Sequence, residues 1–437
     1  MLSVEVFNTN KAKDRYPIKQ MVNKKTVYLF LVLIITAICL SPRFSLGLLA
    51  GRRNIDIRAE DIVLCFGLIA GLIFIVLRKK FKFILPPLFW PILFVSSWGF
   101  FSVLLNLLIG NIVSKIAFFY FLKEVEFFLF YFLIFYCVRS VGLSRRLIKY
   151  WIIFSLVSVF WLVYVFIFNI QWSIQPYGPN TFIEPGGPFP SGGFFLLLFI
   201  FFSNLFIYYY SRLNISKTKK VFLFIIFILP MVGVMSSGSM AATMGLFVSI
   251  IVSLFLLFKD RLGSTGIIKI IISTVIFFGI IIAAIHILPV PQKIISLKKV
   301  MYEYTSGDSE SRGGIFRDHS VLLIEHPQYL ITGIGVLGEA HSQYMRVLLE
   351  RGILGLFLFL WLMRSILKIS YDGFKEKDNL FKKGLSAGLF TATVCMLIMA
   401  IPNDVFMVVK PDEIYWFFAA MTIALIYAPS EVKQIVN

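Results

Sequence analysis

Charge is scarce in this chain. Only 15% of its 437 residues are Asp, Glu, Lys or Arg, against about 25% in an ordinary soluble domain. Acidic residues are the rarer kind, 23 against 42 basic ones. There are only four cysteines, and Cys39, Cys65, Cys137 and Cys395 each lie in or beside an apolar run. That placement argues against a disulfide framework or a metal knuckle and reads as small apolar residues within helices. There is no Asp-x-Asp and no His-Glu-x-x-His, and the four histidines lack paired ligand spacing. No metal site and no cofactor is therefore expected.

Apolar residues fill the space that charge leaves. They make up 59% of the chain, aromatics 17%, and Phe alone occurs 48 times. No water-soluble core could hide so much apolar surface, which excludes a soluble enzyme, a disordered chain and a disulfide-rich secreted domain. The expected class is an all-α polytopic membrane protein. The net charge of +19 would suggest nucleic acid in a soluble chain. In a membrane protein it follows from Lys and Arg gathered in cytoplasmic loops, and no nucleic-acid partner is expected.

A helix needs about 20 mostly apolar residues to cross a bilayer. Twelve stretches qualify, near 26–41, 61–77, 84–108, 116–138, 147–168, 191–211, 220–235, 240–258, 266–288, 352–369, 384–401 and 413–429. Basic residues recur in alternate loops, as in Arg78-Lys79-Lys80, Arg145-Arg146, Lys217 to Lys220 and Arg364 to Lys383. The positive-inside rule then places both termini in the cytoplasm. This divides the chain into a basic tail (1–25), nine spans (26–288), an outer loop (289–351), three spans (352–429) and a short tail (430–437). The first apolar run ends at Leu40-Ser41-Pro42-Arg43 without a small-x-small cleavage site, so it reads as a retained helix.

Two outward loops are long. Residues 169–190 are rich in Gly and Pro, with Glu184-Pro185-Gly186-Gly187-Pro188. Residues 289–351 hold three of the four histidines, His319, His326 and His341. Within the second loop the pattern predicts a helix over 312–325, ended by His326-Pro327. A turn at Gly333-Ile334-Gly335 follows, then a second helix from near Glu339. His319 is expected to be solvated, and His326 to be a turn residue. His286, inside a predicted span, is expected to be a satisfied core histidine.

Ser311-Arg312, His326-Pro327, Gly333-x-Gly335, His341-Ser342 and Glu350-x-Gly352-x-x-Gly355 occur in that order. Together they resemble the signature of the O-antigen polymerase and ligase superfamily of bacterial membrane glycosyltransferases. Its ligase members carry a His with Asn, Ser or Gln, nine residues, then Gly-x-x-Gly. His341-Ser342, nine residues, Gly352 and Gly355 fit that spacing. One departure is the turn Ser236-Ser237-Gly238-Ser239, where members often have Ser-Arg. This divergence favours a polymerase over a ligase.

The resemblance implies a GT-C-like fold in the bacterial inner membrane, about twelve transmembrane helices and a periplasmic active site. The donor would be a glycan on a polyprenyl diphosphate. The acceptor would be a lipid-linked repeat unit for a polymerase, or lipid A core for a ligase. Membrane lipids and a chain-length regulator are the further expected partners. Such chemistry needs cations on the diphosphate and a group to deprotonate the acceptor. His341 and Arg312 are the candidate catalytic residues. His341 could act as base or as a phosphate contact. Arg58, Arg317, Glu184, Arg52, Arg53 and His326 are candidates for substrate binding. Arg317 lies about 140° around its helix from Arg312, which argues against a shared ligand. Arg43, Arg52, Arg53 and Arg58 break the positive-inside trend, and contact with anionic headgroups explains them equally well.

Lys123, Glu124 and Glu126 sit inside a predicted span, where charges are costly. Function and an internal Lys123–Glu126 pair at i, i+3 are the two readings. A twelve-span flippase or transporter is the alternative class. It has no need of Arg312 and His341, and the first half shows no repeat of the long loop.

Overall fold

A computed structural model of the chain describes residues 24–40, 43–49, 53–77, 85–109, 114–138, 140–167, 188–237, 239–261, 312–335, 342–376 and 378–427. The helices are α1 (Lys24–Leu40), α2 (Ala59–Leu77), α3 (Phe89–Ile109), α4 (Ser114–Cys137), α5 (Val141–Ile167), α6 (Pro188–Tyr208), α7 (Lys217–Ser236), α8 (Met240–Arg261), α9 (Arg312–Glu325), α10 (Tyr329–Thr332), α11 (Gln343–Lys375), α12 (Leu380–Met399) and α13 (Val409–Tyr427). A helix therefore covers eleven of the twelve predicted spans. The remaining one, the ninth at 266–288, lies outside the described residues, as does His286.

Six of these helices are long and apolar enough to cross a membrane, namely α3, α6, α7, α8, α11 and α12. The fold is that of a helical multi-pass membrane protein.

Between α1 and α2 lies a feature the apolar pattern does not announce. Strands β1 (Arg43–Leu49) and β2 (Arg53–Arg58) pair antiparallel, with Arg43 opposite Arg58 and a register irregularity between Ser45 and Leu48.

Helix α6 is apolar all round, as expected of a helix surrounded by others. From Phe195 to Leu198 it is fully buried. α7, α8, α12 and α13 pack against it. Phe201 of α6 stacks on Phe418 of α13 at 4.1 Å. Lipid tails are as apolar as Leu, so close van der Waals fit must hold such helices together. Gly384 on α12 supplies it, because a Cβ there would lie 3.2 Å from Leu205 Cα of α6.

The two ends of the bundle differ in their charge. At one end, Asp260 on α8 pairs with Lys383 on α12 and, at 3.3 Å, with Arg212. Arg145 lies over the rings of Tyr209 and Phe381 there. The other end carries the hairpin, α9 and α10, and a set of buried carboxylates and arginines.

Two expectations are corrected. The helix predicted from near Glu339 begins at Gln343, with Ser342 at its cap. The predicted limit between loop and span at 351/352 is no gap, because α11 runs through it for 33 residues. Its backbone departs from helical geometry at Gly352 alone, with φ 66° and ψ −172°.

Candidate functional site

The motif glycines meet at this break. A positive φ suits glycine, which has no Cβ to clash. A Cβ on Gly352 would strike the Ile331 carbonyl of α10, and one on Gly333 (φ 71°) would strike the Glu350 carbonyl. The Gly333–Gly335 turn and the α11 break thus interlock backbone to backbone.

Breaking a helix inside apolar surroundings frees carbonyls that must find donors. Each finds one here. Leu349 O accepts from Ile334 N at 2.7 Å. Glu350 O accepts from Ser102 Oγ at 2.7 Å, and Arg351 O from Trp98 Nε1 at 2.8 Å. The single hydroxyl proton of Ser102 is shared with Thr332 O, 2.8 Å away. Asn106 Nδ2 donates to Gly333 O at 3.3 Å. Trp98, Ser102 and Asn106 recur every fourth residue, so one face of α3 braces the whole junction.

The junction fixes two arginines. Arg351 makes a two-pronged pair with Glu124 of α4, Nη1 lying 2.8 Å from Oε1 and Nη2 closing on Oε2. The planar guanidinium matches a carboxylate in this way. Gly99 of α3 leaves room for it, since a Cβ there would lie 3.1 Å from Arg351 Cζ. Arg346 Nε donates to Glu350 at 2.8 Å, and its Nη1 reaches Asp404 at 3.2 Å. Gln343 ties the start of α11 to the 400–406 turn. Its N–H donates to Ala400 O at 2.9 Å, and its Oε1 accepts from Phe406 N at 3.2 Å. A second set lies nearby on α4, where Lys123 donates to both Asp61 and Glu126 at 2.8 Å.

Glu124, Gln343, Glu350 and Arg351 line a pocket together with Phe128, Phe359, Phe406 and Trp416. The lining thus mixes charged groups with aromatic rings.

The sequence-predicted site residues fall in several places. His341, Arg52 and Glu184 lie outside the described residues. Arg312 is the first residue of α9, and Arg53 and Arg58 are the two ends of β2. Arg317 is exposed and 3.5 Å from its neighbour Asp318, a surface pair worth about 0–1 kcal/mol. His326 is exposed and serves as a turn residue, as expected: its carbonyl accepts from Tyr329 N at 3.0 Å. His319, expected to be solvated, is half-buried.

Of the two readings of these charges, the internal Lys123–Glu126 pair is present, with Asp61 as an additional partner. Glu124 belongs instead to the arginine junction. The Ser-rich turn proves to be self-capping, since Ser237 Oγ accepts from Ser239 N at 3.2 Å and Ser239 Oγ from Ala242 N at 3.2 Å. Among the described residues no group of three or more His, Cys, Asp or Glu side chains could hold a metal ion. Arg346, Arg351, Asp404, Lys410 and Asp412 were not singled out from the sequence. Charges inside or beside apolar runs were the available signal.

No known family's sequence profile matches the chain, and no curated protein matches it significantly.

Proposed function

We propose that this chain is a surface-polysaccharide polymerase. It moves a growing glycan from its polyprenyl diphosphate onto the next lipid-linked repeat unit. In this reading it spans the inner membrane of a bacterium twelve times, with a GT-C-like fold and both termini in the cytoplasm. The reacting site faces the periplasm. His341 deprotonates the acceptor hydroxyl or contacts the diphosphate, and Arg312 offsets the diphosphate charge.

One observation carries the reading. Gly333, Gly335, Glu350 and Gly352, which are ordered letters of the motif in sequence, build one interlocked junction beside a pocket lined by charged and aromatic side chains.

The test is deletion of the gene in its host, with surface lipopolysaccharide run on a gel. Core bearing a single repeat unit is expected. Bare core, with long glycan left on its polyprenyl carrier, would make the protein a ligase. An unchanged ladder would remove O-antigen assembly altogether. Complementation with His341→Ala or Arg312→Ala should fail to restore polymer while translocation of repeat units stays normal. Loss of translocation would point to a flippase.

A further inference from the structure

Helix α13 opens with Lys410, Asp412 and Glu413, all buried. Asp412 is fully enclosed, at 0% exposure, and neither of its carboxylate oxygens has a hydrogen-bond partner among the described residues. The charge that acts on it is another anion, the Glu124 carboxylate of α4. This follows from the packing. Trp416 of α13 meets Phe128 of α4 edge to face at 5.3 Å, and Asp412 and Glu124 each lie one turn earlier on their own helices.

Among the described side chains, the cations of this buried network are engaged elsewhere. Arg351 is paired with Glu124, Arg346 with Glu350 and Asp404, and Lys410 donates to Ile38 O of α1. Glu413 has a partner of its own. The other elements packed on α13 bring little more. α6 carries no charged residue. The lysines of α1 are at its opposite end, and so are Lys382 and Lys383 of α12. Tyr415 shares its hydroxyl with Thr393 at 3.0 Å.

A lone carboxylate in such a place would bear the full cost of an unsolvated charge. It needs a cation of its own. A metal cation would need several oxygen ligands and room for itself, whereas Asp412 does not line the pocket and α13 is buried without interruption from Lys410 to Leu425. A proton needs neither.

We propose that Asp412 is a proton-binding site, neutral at physiological pH, beside the Glu124–Arg351 ion pair. The site goes beyond the polymerase reading and stands whether the chain transfers glycans or transports them. Its proton spares the Glu124–Arg351 pair a second, unmatched anion.

Infrared spectroscopy of the full chain in lipid nanodiscs at pH 7 tests this. The wild type should show a carboxylic-acid C=O stretch that shifts on transfer to D2O. Asp412→Asn should lose that band yet keep the wild-type melting temperature, because Asn is a neutral isostere. Glu413→Gln and Asp404→Asn should both retain the band. Should Asp412→Asn fail to fold, Asp412→Glu must move the band without abolishing it. A wild type with no such band overturns the proposal, as does a band whose position and intensity Asp412→Asn leaves unchanged. Stabilisation by NaCl over choline chloride that Asp412→Asn abolishes would put a metal cation in the proton's place.

Discussion

Gly333 and Gly352 stand 19 positions apart in sequence, yet each leaves the space through which the other's backbone segment passes. Gly333 admits the Glu350–Arg351 peptide, and Gly352 admits the carbonyl of Ile331. The spacing of the motif is thus a condition of backbone packing, and the arginine pair depends on it.

Gly352→Ala should be strongly destabilising, by about 1–3 kcal/mol from the strained φ alone and more from the contact with Ile331. Gly142→Ala on α5 is the control, because nothing lies within 4 Å of a Cβ there. Unfolding by SDS titration in mixed micelles should separate the two variants, and equal stability would refute the interlock.

Removing one partner of the Arg351–Glu124 pair leaves a poorly solvated charge. The pair is 12% and 16% exposed, so the loss should fall at or below the 3–5 kcal/mol of a fully buried pair. Glu124→Gln with Arg351→Met should be milder than Arg351→Met alone. A double-mutant cycle on SDS unfolding reads the coupling, and additive losses would show that the two groups act independently.

Ser102→Ala removes the donor to Glu350 O, and Trp98→Phe removes the donor to Arg351 O. Each leaves a carbonyl short of a partner and should cost about 1–3 kcal/mol. Thermal aggregation followed by size-exclusion chromatography measures both, and Ser365→Ala, whose hydroxyl bonds only within its own helix, serves as comparison.

Lys123 joins α2 to α4 through Asp61 and its own helix neighbour Glu126. Lys123→Met strands two carboxylates and should lower stability more than the triple change with Asp61→Asn and Glu126→Gln. The melting temperatures of the two variants decide it, and the reverse order would show that the triad is not a unit.

Most of the helices were legible because an apolar run of membrane length has few other uses. The end of α9 at His326-Pro327 and the Gly333–Gly335 turn were legible from local backbone rules. The hairpin was missed, since Leu and Ile in Arg43–Arg58 alternate only partly and the bulge shifts their register. The arginine junction was missed for a different reason. Glu124 and Arg351 meet across 227 positions, and no local pattern encodes which of several intramembrane charges will pair. Glu350 is a letter of the motif, whereas its neighbour Arg351 falls at an unspecified position of it.

The brace on α3 also has a history in time. Trp98 and Ser102 precede their carbonyl partners by 253 and 248 positions. During synthesis α3 is complete long before α11 exists, and its polar face must wait, served by water or by transient neighbours. Closure of this end of the bundle is therefore among the last acts of assembly. A chain cut short before Gln343 would expose the waiting face of α3, a ready mark by which quality control could tell the unfinished protein from the finished one.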